Sequence, residues 1–387
     1  MKVRYTRDVD KLDQVPPKHR EQMRVVAEKY AFRANDYYLG LIDWNDPHDP
    51  IRRLVVPDER ELLDWGRLDA SNEQAVTVAR GVQHKYRDTA LLLVNEVCGA
   101  YCRYCFRKRL FIDGNDETSL DIRSGLEYLS EHPEITNVLL TGGDPLLMST
   151  RRILKILDQL RSIDHVRIIR IGTKMPAFNP WRVLDDQTLL EGLARFSAPE
   201  SRIYVMAHFD HPRELTEPAL QGIDALLKAG VICVNQCPLI KGINDDPGIL
   251  SRMFRKLSFI GCPQYYLFQG RPTAGNEPFE LPIVAGYEIF EEAKRHVSGL
   301  AKRARFAMSH ESGKIEIVGL DSEYIYLRYH RAKDSMNEGR FIVCHRNDDA
   351  YWFDQLVPAK GLGVPCPDDD EMADEVPASG PSAEVMM

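Results

Sequence analysis

No stretch of the 387-residue chain approaches the roughly eighteen consecutive apolar residues that would cross a bilayer. The opening Met1-Lys-Val-Arg-Tyr-Thr-Arg-Asp8 also lacks the apolar segment of a secretory signal. No membrane partner is expected, and the expected location is cytoplasmic. A basic surplus is missing too: 50 Lys and Arg stand against 58 Asp and Glu, for a formal charge of -8. A protein that grips phosphate backbones normally carries the opposite sign, so no nucleic-acid partner is expected. Cysteines number only 8, and Cys233, Cys237, Cys262, Cys344 and Cys366 share no ligand spacing. That usage does not read as a disulfide framework and fits a reducing compartment. Cys233 and Cys237 read as buried core thiols. No repeat of solenoid period is present.

The other three cysteines lie together in Cys98-Gly-Ala-Tyr-Cys102-Arg-Tyr-Cys105-Phe-Arg-Lys-Arg109. Their spacing suits an iron-sulfur cluster with one open iron, because three thiolates bind three irons and leave the fourth free. The tract follows the apolar run Leu91 to Val94, on the loop leaving a strand's carboxyl end, where α/β folds build active sites. A structural zinc would need a fourth ligand, and no further Cys or His lies close by in the tract. His84 could reach it only through the fold.

With 44% apolar residues the chain can supply a sizeable core. Residues 1–84 mix charge with helical patterns around a turn-rich break at Asn45-Asp-Pro-His-Asp-Pro50, and are predicted as a helical N-terminal region. Residues 85–303 alternate predicted strands, near 91–94, 138–141, 166–173, 203–209, 231–236 and 264–268, with amphipathic helices between them. Six such alternations imply a parallel sheet with helical crossovers in an α/β fold. Residues 304–362 turn β-rich, with predicted strands near 314–320, 324–330 and 340–345. Residues 363–387 are acidic and poor in large apolar residues, the composition of a disordered tail.

The string CxxYCRYCFRKR resembles the signature of the radical S-adenosylmethionine (SAM) enzymes, and the lysine 2,3-aminomutase family in particular. Further matching pieces are Tyr37-Tyr-Leu-Gly-Leu-Ile-Asp-Trp-Asn-Asp-Pro47, Leu140-Thr-Gly-Gly-Asp-Pro145, His208-Phe-Asp-His-Pro212, Asn235-Gln236 with Gly242-Ile-Asn-Asp245, and Tyr265-Tyr-Leu-Phe-Gln269. They span most of residues 20 to 315 in one order and fade after Lys314. The resemblance implies a partial (β/α)6 radical SAM barrel with an N-terminal helical preface and a β-rich C-terminal extension. It implies an isomerase, an intramolecular aminotransferase that moves an amino group from C2 to C3 through a pyridoxal phosphate (PLP) aldimine and a 5′-deoxyadenosyl radical. The cofactors would be a [4Fe-4S] cluster, SAM and PLP, with a reducing donor such as flavodoxin or ferredoxin, an amino-acid substrate and a homo-oligomeric assembly.

Residue by residue, the resemblance assigns Cys98, Cys102 and Cys105 to the cluster and sets Tyr104 against adenine. Thr141-Gly142-Gly143-Asp144 would meet the methionine amino group of SAM, since paired glycines let a backbone approach a ligand closely. Tight βα loops use glycine without any ligand, and Asp144 reads equally as a helix cap. Lys314, after Gly313, matches the lysine that forms a Schiff base with PLP, and an amine in a partly desolvated pocket suits that work. The alternative is an ordinary solvent-facing lysine. Lys85 and Tyr86 match the phosphate side of PLP, and Arg107 matches the arginine that takes the substrate carboxylate. Lys108 and Arg109 read either as part of that site or as a solvated basic run. Asn235 and Gln236, at a strand end, would contact SAM or PLP unless they are satisfied core amides. His208 and His211 lack a carboxylate partner at helical spacing and are assigned to active-site packing and hydrogen bonding.

Departures from the family pattern bear on the substrate. The family's second arginine beside the PLP tyrosine appears here as Thr89. Two aspartates that hold the substrate ammonium in lysine-specific members are replaced by Arg271 and Ala307. A buried cation facing an ammonium is unfavourable, so an acidic or neutral substrate is expected, glutamate being the simplest, with Arg271 as its side-chain ligand unless it is a surface arginine. The family's C-terminal zinc cysteines are also missing, which leaves the usual oligomer contacts unsupported. Two other readings fit: a PLP-free radical SAM enzyme acting on a carboxylate-bearing substrate, and a non-catalytic cluster-bearing regulatory protein.

Overall fold

The computed structural model describes residues 2–112 and 114–363. Six strands, Thr89–Asn95, Asn137–Gly142, Ile168–Thr173, Ile203–Ala207, Ile232–Pro238 and Gln264–Phe268, lie side by side in chain order and pair in parallel throughout. Parallel neighbours need a crossover, and each strand is followed by one principal helix: Arg123–Glu131, Thr150–Arg161, Gln187–Phe196, Glu217–Lys228, Pro247–Phe259 and Ile283–Arg295. Local chemistry starts these helices cleanly. Asp186, Thr216 and Asp246 each accept a hydrogen bond from the first turn, and Pro218 and Pro247 occupy positions where a missing N–H costs nothing. The buried stripe Ile153, Ile156, Leu157 and Leu160 of one helix packs with Leu189 and Leu193 of the next against Val138, Leu140, Ile169 and Ile171 of the strands.

The sheet is open and longer than six strands. Its order runs through 13 strands without a break, from Thr77–Ala79 at one edge to Pro358–Gly363 at the other. The region expected to be helical does hold helices Pro17–Lys29, Asp36–Leu39 and Pro50–Val55, but it ends in a hairpin, Thr77–Ala79 with Val82–Tyr86. This hairpin runs antiparallel to the first parallel strand, with Tyr86 opposite Thr89. Gly81, at φ +74°, makes the turn that the helical reading overlooked. Past residue 303 the chain adds a seventh parallel strand, Arg305–His310, in register with Tyr266 to Phe268. Four antiparallel strands then extend the same sheet. The β-rich region is therefore continuous with the six-strand core. The expectation of a disordered tail falls, from residue 364 on, outside the described residues.

A buried ion pair ties the N-terminal region to the cysteine loop. Arg103 is 2% exposed, and its Nε and Nη2 reach both oxygens of Glu61 at 2.8 to 3.1 Å. Its remaining donors go to the carbonyls of Ala31 and Tyr30. Removing Arg103 leaves the buried Glu61 carboxylate with only Lys108, at 3.8 Å, against it, at a cost of about 3–5 kcal/mol. Arg103→Met is therefore expected to lower the unfolding free energy by about that amount at an unchanged denaturant slope. Equilibrium denaturation measures it, and a loss under about 1 kcal/mol would contradict the pair's structural weight.

Candidate active site

At the carboxyl ends of the parallel strands opens a cavity of about 430 Å3. One end holds the cysteine loop, which is built against the loop of the second strand. The Asn95 amide donates to the carbonyls of Val97 and Asp144, at 2.8 and 2.7 Å, and clamps the two loops together. The N–H groups of Gly143 and Asp144 donate to the carbonyls of Asn95 and Val97. A Cβ on Gly143 would come within 2.6 Å of the Val97 backbone, and Gly142 adopts φ +104°. The glycine pair is thus demanded by loop packing before any ligand is considered. Asp144 caps the turn Pro145–Leu147 and accepts from Thr173 Oγ1 and the Lys174 N–H, and burial pushes its carboxyl up to about 6. Its two oxygens serve the protein, so of the two sequence readings the structure favours the cap.

Cys98, Cys102 and Cys105 all line the cavity. Burial, chiefly, raises each thiol: Cys102 to about 12, Cys98 well above its ordinary value, and Cys105 in the same direction. Cys98 is further raised by Asp144 and by the other two thiols. Lys174 works the other way on Cys102, and Lys108, Arg107 and Arg109 do so on Cys105. Among the described residues no three His, Cys, Asp or Glu side chains converge on a single metal-ion position. A cluster bound here would have to deprotonate these thiols, as its charge does for its ligands.

Behind the thiols lies a polar network that the sequence reading missed. Tyr104 donates its hydroxyl to Asp210 and meets His208 Nε2 at 2.9 Å, so its ring is held at the cavity wall. Lys174 Nζ bridges Asp210 and Glu214 at 2.5 and 2.7 Å, and Tyr38 donates to Glu214 at 2.5 Å. Burial opposes charge on Asp210, but His208 and Lys174 together hold its carboxyl well below the usual range. His211 does not line the cavity. It caps the turn Pro212–Glu214, which corrects its assignment to the active site. Asn235 is corrected as well: its amide is spent on both backbone groups of Phe209 and on Gln264 Oε1, at 2.7 to 3.0 Å, and it is a core amide. Gln236 does line the cavity.

The segment that follows Cys105 and the wall beside it are crowded with cations. Arg107 is fully engaged: Glu73 takes its Nε and Nη2 in a two-pronged pair, Thr141 Oγ1 accepts from Nη1 at 3.0 Å, and Gln83 lies at 3.4 Å. Lys108 and Arg109 are buried rather than solvated. Lys108 donates to the Gly275 carbonyl, and Arg109 pairs with Glu73 and Glu117. Arg271 faces the cavity, its guanidinium 3.6 Å from the centre of the Phe106 ring and 3.9 Å from Glu73, with Nη1 buried and unbonded. It is not a surface arginine. Ala307, fully buried on its strand, offers no charge.

Lys314 begins the strand beside Arg331, its Nζ 3.9 Å from the centre of the Tyr266 ring. Any Cβ on Gly313 would strike the Arg331 carbonyl, so glycine there is required by the close approach of the next strand. Burial first, then Arg170, Arg331, Arg271 and Lys85, lower the Lys314 pKa well below its ordinary value. Lys85 donates to the His310 carbonyl, and burial with Arg271 brings it down to about 7. Tyr86 lines the same wall, raised to about 12 by burial. Thr89 spends its hydroxyl on Asp88 at 2.7 Å.

Comparison with known proteins agrees with this geometry. The profile of the radical SAM superfamily matches residues 92–254. An Aquifex aeolicus protein named "Putative L-lysine 2,3-aminomutase" is 52% identical over 92% of this chain and 96% of its own length. The L-lysine 2,3-aminomutase of Clostridium subterminale is 33% identical over 75% of this chain and 70% of its own. The glutamate 2,3-aminomutase of Clostridioides difficile is 32% identical over 76% and 69%.

Each single Cys→Ala change at positions 98, 102 and 105 is expected to abolish iron-sulfur absorbance in anaerobically reconstituted protein. Full iron content in Cys102→Ala would remove that thiol from the ligand set.

Proposed function

The chain belongs to the lysine 2,3-aminomutase family of radical SAM enzymes, and on that premise we propose that it is an amino-acid 2,3-aminomutase, an isomerase that holds PLP on Lys314 and acts on an acidic or neutral amino acid, glutamate first. Membership brings the [4Fe-4S] cluster, for which Cys98, Cys102 and Cys105 are the three ligands, and SAM. The observation that carries the PLP reading is the placement of Lys314: a half-buried amine 3.9 Å from the centre of the Tyr266 ring, in the same cavity as the three cysteines, with its pKa lowered first by burial. When bound, the cluster and SAM supply a carbon radical that abstracts hydrogen, and PLP carries the migrating amino group.

The chain's own residues then hold, orient and exclude water. Lys314, its pKa lowered by burial and by neighbouring cations, is suited to attach a carbonyl cofactor, with Tyr266 as an aromatic wall. Of the four cations that lower its pKa, Arg331 is answered by Asp88 and Glu338 and Arg271 has Glu73 at 3.9 Å, whereas Arg170 and Lys85 have no carboxylate partner among the described residues, so an anionic cofactor would meet a need there. This disfavours the PLP-free reading. Arg271 presents a buried, unbonded N–H to the cavity, and a substrate side-chain carboxylate is the group that satisfies it, in a two-pronged pair if both terminal nitrogens turn to it. An ammonium in the same place would meet Arg271 with only Glu73 for relief, and Glu73 is already shared by Arg107 and Arg109. The α-carboxylate has Arg107 to aim for, but must compete with Glu73 for its fork.

Borohydride reduction of PLP-loaded protein, followed by peptide mapping, is expected to place the pyridoxyl group on Lys314. Loading should rise less steeply between pH 7 and 9 than for an ordinary lysine, because burial and the neighbouring cations lower the pKa of the amine. An ordinary lysine would instead gain about tenfold in reactive amine per pH unit across that window. Label on another lysine, or that steep rise, would contradict the assignment.

Substrate choice is tested by comparing glutamate with lysine for 5′-deoxyadenosine formation and β-amino acid product. Wild type is expected to turn over glutamate, and Arg271→Asp to lose it by about 100-fold or more in kcat/KM, the cost of a buried charge pair turned repulsive. Efficient lysine turnover by the wild type, with glutamate inert, would falsify the substrate reading.

A further inference from the structure

Resting on that cofactor reading, we propose that Arg170 is a ligand of the PLP phosphate. Arg170 stands on the strand Ile168–Thr173 and lines the cavity. Its Nε donates to Asn137 Oδ1 at 2.8 Å, which fixes the guanidinium plane. Among the described residues it makes no other hydrogen bond and no ion pair with a carboxylate, so its two terminal nitrogens are left to the cavity.

Arg170 is half-buried, yet it lines the cavity without the carboxylate partner that a guanidinium withdrawn from bulk water ordinarily has. Two other arginines of this wall do have one. Arg107 has Glu73, and Arg331 reaches Asp88 at 2.5 Å. Arg170 lies close enough to Lys314 to rank first among the charges that lower its pKa. Lys85 adds a second cation to the same wall, and its nitrogen rests on a backbone carbonyl rather than a carboxylate. A ligand that attaches to the Lys314 amine and carries a dianionic group at its other end answers both cations at once.

Register explains why position 170 supplies this charge. Thr89 pairs with Asn137, and Asn137 with Ile168, while Arg170 follows two residues later on the same strand and leans back onto the Asn137 side chain. The guanidinium is thereby drawn toward the column that begins at Thr89. Thr89 itself brings no charge, since its hydroxyl is turned to Asp88.

The test is titration of the purified full-length protein with PLP and, separately, with pyridoxal, which lacks the phosphate, followed by absorbance. Arg170→Gln is expected to weaken PLP binding by about ten- to hundredfold, the worth of a charge-assisted pair, and to leave pyridoxal within about twofold. Arg170→Lys keeps the charge without the fork and is expected to fall between them. It also decides the matter alone if the Gln variant does not fold. PLP affinity unchanged in the variants, or equal losses for PLP and pyridoxal, would overturn the role of Arg170 while the cofactor reading stands. Folded, cluster-loaded wild type that binds neither compound would overturn the cofactor reading, and this inference with it.

Discussion

Glu73 is the carboxylate on which the basic half of the cavity depends. Arg107 and Arg109 both bond it, and Arg271 stands 3.9 Å away. Burial alone would keep this carboxyl protonated, yet the arginines hold it far below the usual range. The dependence is mutual, because removing such a carboxylate would leave several buried guanidinium groups facing one another. It also explains why the N-terminal region reaches into the sheet. Asp69 accepts from the N–H groups of Glu73 and Gln74, and the Arg67 backbone pairs with Pro272 and Ala274 on either side of the loop that follows Arg271. One short segment therefore fixes Glu73 and steadies the Arg271 loop together.

From this constraint follows a division of charge across a single cavity. Behind Cys102, Asp210 and Glu214 outnumber Lys174, whereas Cys105 feels the cations Lys108, Arg107 and Arg109. Around Lys314, Arg170, Arg271 and Lys85 exceed the carboxylates within reach.

The parallel core was legible because its apolar runs and amphipathic helices are local signals, and the cysteine tract because spacing alone carries its chemistry. The hairpin at Thr77–Tyr86 was not, since its short strands are held by pairing with Thr89–Asn95 rather than by any strong pattern of their own. Arg305–His310 was missed for the same reason, as three apolar residues between polar ones become a strand only beside Gln264–Phe268. Lys174 and Glu73 carry no motif, and Asp210, though inside the His208–Pro212 tract, was given no role. Their arginine, lysine and aspartate partners stand at least 34 residues away in sequence, and only the fold brings them near. Asn235 shows the converse, for a strand-end amide that looked ready for a ligand is consumed by Phe209 and Gln264. Arg271 could be recognised as a departure from the family pattern, but its inward direction is set by Phe106 and Glu73.

The cations around Lys314 do more than receive an anion. Their field, added to burial, lowers the pKa of the amine, because a further positive charge beside Arg170, Arg331, Arg271 and Lys85 is unfavourable. A phosphate that neutralises part of this field removes part of the cause. The nitrogen of Lys314 should then hold a proton more readily once the anionic end of the ligand is seated. A neutral ligand of the same shape would leave the field, and the lowered pKa, as they are.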